Sequence, residues 1–166
     1  MTEKQLIAKA EELVAVLKAQ SLTLGLAESC TGGWLSKIIT DVSGASAIYN
    51  GGICSYSNEI KIKLLGVKPE TLRLYGAVSE QTAKEMANGA RKALNAHIGV
   101  GITGIAGPTS DDTSKPVGLI YVAVADENKT LVTELRNNFT DEIRLNNRMS
   151  AIETALTLLG GLNEKE

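Results

Sequence analysis

Two short apolar runs, residues 23–27 and 98–103, each give way to a glycine-bearing turn, and this pattern restricts the fold more than any other feature of the chain. Runs of that length bounded by turn residues read as buried strands rather than helices. After the first comes Ala27-Glu28-Ser29-Cys30-Thr31-Gly32-Gly33, then a helix-like run from Trp34 to about Asp41 with Trp34, Leu35, Ile38 and Ile39 on one face. After the second comes Thr103-Gly104-Ile105-Ala106-Gly107-Pro108. In open α/β sheets ligands bind beyond the carboxyl ends of the strands, so two such turns can face one pocket.

The remaining elements alternate in the same way. Thr2-Glu3-Lys4-Gln5 reads as a capping box that starts a helix carrying Leu6, Ala10, Leu13 and Leu17 on one face. Residues 48–56 look like a strand interrupted by a glycine turn or bulge at Gly51-Gly52. Asn58 is positioned to cap a short helix over 59–65 that Gly66 stops, and Pro69 opens another turn near 69–75. Ser79 caps a longer helix, 80–94, whose Ala83, Met86, Ala87, Ala90 and Leu94 face inward. Strands over 118–125 and 130–139 join through a hairpin turn at Glu127-Asn128-Lys129, and a last helix runs over about 141–159. The expected fold is an α/β three-layer sandwich with a mixed, mostly parallel sheet flanked by helices, in a single domain over 1–166.

Composition closes off several function classes. Aromatic residues make up 4% and the formal net charge is −2. That leaves neither a stacking platform for single-stranded nucleic acid nor a basic footprint for duplexes or anionic membranes. Two cysteines make no disulfide framework, the first residues are charged rather than signal-like, and no apolar run nears the ~20 residues that span a bilayer. A cytoplasmic protein with no nucleic-acid or membrane partner is expected.

The first turn holds the candidate chemistry. Gly32 and Gly33 let backbone approach a ligand, and the N–H groups opening the next helix would point at it. Ser29 is either a simple helix cap or a nucleophile whose oxyanion meets the amides near 31–33. Cys30 is the rival nucleophile. A histidine base would have to be His97, the only one, at the start of a strand-like run where a structural role is the ordinary one. That directs attention to a lysine, with Tyr56 and Lys61 as candidates. Spacing alone makes Lys61 a solvated surface lysine, although Leu64 and Leu65 at i+3 and i+4 tilt it inward, with Lys63 on another flank. Working as a base needs a pKa drop from about 10.4 to roughly 7.5, near 4 kcal/mol against the charged form, which burial plus a nearby cation could supply and an exposed lysine could not. Arg144 and Arg148, four apart, share a helix face that is either a solvated stripe or a phosphate clamp. Asp111 and Asp112 have no histidine or cysteine near them, so no metal and no cofactor is expected.

Several ordered blocks then carry a specific resemblance. The turn at 27–33, Tyr56-Ser57-Asn58-Glu59 with Lys61 and Leu64-Leu65-Gly66-Val67, and Gly76-Ala77-Val78-Ser79-Glu80 come first. Met86-Ala87 with Gly89-Ala90-Arg91, the turn at 103–108 and Lys115-Pro116-Val117-Gly118 continue the order. Together they closely resemble the C-terminal domain of the CinA family in its stand-alone, PncC-type form, whose members are nicotinamide-nucleotide amidases. The resemblance implies deamidation of nicotinamide mononucleotide to nicotinate mononucleotide and ammonia, in pyridine-nucleotide recycling. It also implies a Ser–Lys mechanism on Ser29 and Lys61 with Tyr56 assisting, a nucleotide held by Thr31, Gly32, Gly33, Thr103, Gly104, Arg144 and Arg148, and self-association into a homo-oligomer. Two departures stand out: Thr109-Ser110-Asp111-Asp112 replaces a glycine pair, and Glu142-Ile143-Arg144 replaces Gly-Asp-Arg. They imply the alternative of a non-catalytic or altered-specificity paralogue that binds a pyridine nucleotide or a protein partner. A phosphate-transferring enzyme is the weakest alternative, since neither turn contains a lysine.

Overall fold

The apolar strands conceal a second alternation, of side-chain size rather than polarity, and it dictates how the layers stack. A computed structural model describes residues 1–110 and 114–162. In β1 (Leu24–Glu28), Leu24 and Leu26 point to one face while Gly25 and Ala27 point to the other. β3 (Ile98–Gly104) repeats this with Ile98, Val100 and Ile102 against Gly99 and Gly101, and β4 (Leu119–Ala125) with Ile120, Val122 and Val124 against Ala123 and Ala125. The large side chains form the main core with α1 (Glu3–Ala19), α2 (Trp34–Thr40) and α6 (Ile143–Leu162). The small side admits α5 (Glu80–Ala93) almost onto the sheet backbone. α3 (Asn58–Leu65) and α4 (Pro69–Tyr75) lie against α5.

β2 (Tyr49–Cys54) and β5 (Thr130–Arg136) are the edges of one five-stranded sheet with order β2-β1-β3-β4-β5. β1 runs parallel to both β2 and β3, whereas β3–β4 and β4–β5 are antiparallel. The expected mixed α/β sandwich is thus present, with its pairings divided evenly between the two senses. The carboxyl ends of β1, β2 and β3 lie side by side, which places the two glycine turns together.

Local signals explain most boundaries. Thr2 and Gln5 make both bonds of the capping box, and the glycine irregularity of β2 appears as a register shift beside Leu24 and Gly25. Ser79 caps α5 through the Thr82 N–H. Several boundaries differ from expectation, among them β5, which ends at Arg136 rather than at 139. Ser57, not Asn58, caps α3, its hydroxyl accepting from the Ile60 N–H. The turn at 69–75 is a two-turn helix with Pro69 in its first turn, where a missing N–H costs nothing. α6 runs through Gly160-Gly161, because Leu159 and Leu162 are buried against the core and tertiary packing overrides glycine's weak propensity.

The closeness of α5 gives a direct test. A Cβ on Gly99 would stand 2.0 Å from the Ala87 carbonyl oxygen, a backbone atom that cannot swing away, whereas one on Gly160 meets nothing within 4 Å. Gly99→Ala is expected to lower unfolding free energy in urea by about 3 kcal/mol or more. Gly160→Ala should leave it unchanged or raise it by up to about 1 kcal/mol.

Candidate active site

At the carboxyl edge of the sheet the backbone itself brings the candidate groups together. The Ser29 N–H donates to the Ile102 carbonyl and the Ser55 N–H to the Glu28 carbonyl, so Ser29 and Ser55 prolong the ends of β1 and β2. Two residues on, the Ser57 cap starts α3, and Lys61 falls one turn inside it. The Lys61 side chain reaches back over that turn. Its Nζ lies 3.2 Å from Ser29 Oγ and donates to the Ser55 carbonyl at 2.6 Å.

Lys61 is 1% exposed, which overturns the solvated-lysine reading. Of the two flanking leucines only Leu65 is buried; Leu64 is exposed. The end of α3 is held against α5. Gly89 lets the Leu65 backbone approach so closely that a Cβ there would lie 2.0 Å from the Leu65 carbonyl, and Leu65 and Val67 pack with Met86 and Ala90. Among the described residues no carboxylate pairs with the amine. Burial therefore disfavours its charged form and holds its pKa down to about 8. Lys63, one helical flank away, is exposed.

Cys30 and His97 are disposed of by their surroundings. Burial pushes the Cys30 thiol up to about 12, so it carries essentially no thiolate near neutral pH. His97 Nδ1 accepts from the Thr23 N–H at 3.0 Å, at the opposite end of the strands from Ser29, and lines a separate cleft there.

Around Ser29 and Lys61 lies a cleft of about 290 Å³, walled by Tyr56, Val78, Thr103, Gly107 and Arg144. Tyr56 is largely exposed, and its hydroxyl accepts from Arg144 at 3.2 Å rather than meeting Ser29 or Lys61. Arg144 also donates to the Gly107 carbonyl at 2.9 Å. Thr103 is buried and its hydroxyl donates to the Ala77 carbonyl at 2.7 Å, which fixes the opposite wall, while Gly104 lines the cleft.

Thr31, Gly32, Gly33 and Arg148 are not among the residues that line it. The helix N-terminus that looked like an anion cradle is already filled. The buried Glu28 carboxylate accepts from the N–H groups of Leu35 and Ser36, at 3.0 and 2.8 Å, and from the Ser36 hydroxyl. Gly32 and Gly33 have φ of 60 and 93, so their lack of a Cβ serves the turn itself. Arg148 lies over the Trp34 ring at 5.1 Å and donates to the Thr31 carbonyl at 2.8 Å, bracing that turn from behind. The Thr31 side chain is buried with no partner for its hydroxyl.

Four contributors were not assigned from sequence: Glu28 as the internal cap, Ser55 as the amine's acceptor, Asn147 and Lys115. The last donates to the carbonyls of Tyr75 and Val78 and holds the cleft wall. Glu28 offered a signal, a carboxylate just before a helix start, but its spacing differs from a standard cap. Asp111 and Asp112 lie outside the described residues. Among the described residues no group of three or more histidine, cysteine, aspartate or glutamate side chains converges as a metal site, and no helix is long and apolar enough to cross a membrane.

Such an arrangement, a mixed sheet with a serine and a buried lysine meeting at its carboxyl edge, defines an α/β domain with a candidate Ser–Lys pair. The chain belongs to the CinA C-terminal domain family, whose pattern matches residues 7–162. A putative competence-damage inducible protein of Thermoanaerobacter pseudethanolicus is 54% identical over 125 residues, 75% of this chain and 30% of that protein. A CinA-like protein of Amoebophilus asiaticus is 46% identical over 93% of this chain and 36% of its own length. The chain thus spans about a third of these curated relatives. Among solved structures, the competence/damage inducible protein CihA of Agrobacterium tumefaciens superposes with a TM-score of 0.91 at 37% identity, covering 99% of this chain and 98% of that one. A CinA superfamily protein of Escherichia coli gives 0.87 at 29% identity, covering 95% and 90%.

The depressed pKa of Lys61 has a consequence for stability. Folding lowers the amine's proton affinity from the usual 10.5 to about 8, so unfolding takes up a proton between those values and stability rises with pH across that window. Lys61→Met removes the titration. Urea unfolding of the wild type relative to Lys61→Met should gain on the order of 2–3 kcal/mol between pH 7 and pH 10.5.

Proposed function

We propose that this chain hydrolyses the carboxamide of nicotinamide mononucleotide, releasing ammonia and nicotinate mononucleotide, with Ser29 as nucleophile and Lys61 as base. The observation that carries the reading is the buried Lys61 amine 3.2 Å from Ser29 Oγ, its pKa held to about 8. An amine so placed is neutral for a useful fraction of molecules near neutral pH, the condition a general base must meet.

The steps follow from the contacts. One Lys61 N–H stays on the Ser55 carbonyl, which aims the nitrogen lone pair at the Ser29 hydroxyl. As Oγ bonds to the amide carbon, its proton passes to Nζ and negative charge gathers on the amide oxygen. The Gly32 N–H donates to the Ser29 carbonyl and the Trp34 N–H to the Thr31 carbonyl. Cys30 is the residue of this turn beyond Ser29 that lines the cleft, and its amide is the donor assigned to that oxyanion in this reading. The Lys61 ammonium returns its proton to the departing nitrogen, the C–N bond breaks and ammonia leaves. Water, deprotonated by Lys61, then cleaves the acyl ester and restores Ser29. Arg144, with Tyr56 beside it, is the cation at the cleft mouth and takes the phosphate; Arg148 is committed to Trp34 and Thr31 and positions the turn instead.

A binding-only paralogue is the second reading, favoured by Glu142. That residue stands at φ 43 just before α6, where the resembled pattern has glycine. Tight binding of pyridine nucleotides without turnover would support it.

Ammonia release from the mononucleotide decides between them. Ser29→Ala and Lys61→Ala are expected to lose about 10³-fold or more in kcat, whereas Cys30→Ala stays within about threefold. Because the base must be uncharged, kcat/KM should climb with pH through a midpoint near 8 and level off above it. Full activity in Ser29→Ala would remove the serine from the mechanism.

A further inference from the structure

A single donor from the first turn leaves the developing oxyanion half-solvated, and the second turn supplies a candidate for the other half. Within residues 105–108 the Ile105 N–H is engaged by the Leu119 carbonyl at 2.9 Å, and Pro108 has no N–H. The carbonyls of Ala106 and Gly107 both turn toward α6. Asn147 Nδ2 donates to the Ala106 carbonyl at 3.0 Å, and Arg144 donates to the Gly107 carbonyl. The Ala106–Gly107 peptide is trans, since the cis bond of this loop is the next one. In a trans peptide the C=O and the following N–H point in opposite directions. Pulling the Ala106 oxygen onto α6 therefore turns the Gly107 N–H away from the helix, and Gly107 lines the cleft that holds Ser29 and Lys61.

Asn147 itself is an unusual choice for its place. It is 1% exposed, one turn beyond Arg144 on the buried side of α6, and its Oδ1 is buried without a partner. An aliphatic residue would avoid that unsatisfied oxygen at little cost in volume. What the asparagine adds, and leucine could not, is the bond to Ala106.

We propose that Asn147 is a positioning residue: by holding the Ala106 carbonyl against α6 it aims the Gly107 N–H at the oxyanion formed when Ser29 attacks. This rests on the amide-hydrolysis reading of the cleft and adds its second oxyanion donor.

The test uses the whole protein and pyridine-3-boronic acid as probe. Ser29 Oγ bonds to boron, its proton passes to Lys61, and the four-coordinate boron carries the negative charge an oxyanion would. In ¹⁵N-labelled wild-type protein the Gly107 amide proton should move downfield on addition of the boronate, and in Asn147→Leu it should stay put. In parallel, Asn147→Leu should lose about 10²-fold in kcat for the mononucleotide, with KM within about threefold, because an oxyanion donor acts on the transition state and not on bound substrate. Asn147→Ser, which leaves room for a bridging water, should fall between the two. A merely structural asparagine would instead raise KM along with the fall in kcat. A Gly107 amide unmoved by the boronate in wild-type protein overturns the assignment, as does wild-type kcat in Asn147→Leu. If the wild type turns over the nucleotide while Gly107 stays silent, only this inference fails. If it neither turns over nor takes the boronate, the hydrolase reading fails with it.

Discussion

The burial of one ammonium group without an anion to balance it is the constraint around which this domain is arranged. Lys61 sits beneath the surface with a serine hydroxyl and a backbone carbonyl as its polar company. Taking a charge out of water without a counter-ion is costly, and the structure relieves that cost by letting the amine give up its proton more readily. The packing that enforces it is spread over half the fold. The small-residue face of β1 and β3 draws α5 close, Gly89 of α5 lets the end of α3 dock, and Lys61 lies one turn before that docked end. The lowered proton affinity of Lys61 is thus a product of burial rather than of any neighbouring charge.

The turn after β1 serves the same end. Its helix N-terminus is neutralised internally by Glu28, and its far side is braced by Arg148 over Trp34. Both charged groups bond within the turn and brace the segment that carries Ser29. The second turn is anchored on the other flank by Arg144 and Asn147. The turns after β1 and β3 and one face of α6 thus form part of the cleft wall, with Tyr56, Lys61 and Val78 on the remainder.

Much of this was legible beforehand, for identifiable reasons. Capping at Thr2 and Ser79, the glycine irregularity of β2 and the apolar runs of β1 and β3 are local signals, and each produced the element expected. The size alternation within those runs was equally visible, but a pattern of hydrophobicity alone does not separate leucine from glycine faces. The position of Lys61 was not legible from spacing. On a helix of eight residues its neighbours at i+3 and i+4 divide between one exposed and one buried leucine, and the docking of that helix on α5 cannot be read from local spacing. The internal contacts of Glu28 and Arg148 were not legible for a similar reason. A charged residue near a glycine turn suggests a ligand, and only the fold reveals that another part of the protein has taken that place.

The most direct probe of this account is the titration of Lys61 itself. In protein labelled with ¹³C at the lysine ε-carbon, each amine reports its own protonation, and Lys61→Met identifies the resonance by its loss. The Lys61 signal should titrate with a midpoint near 8. A Lys61 midpoint near the ordinary 10.5 would mean that the amine stays charged at neutral pH, and Ser29 would then have no base.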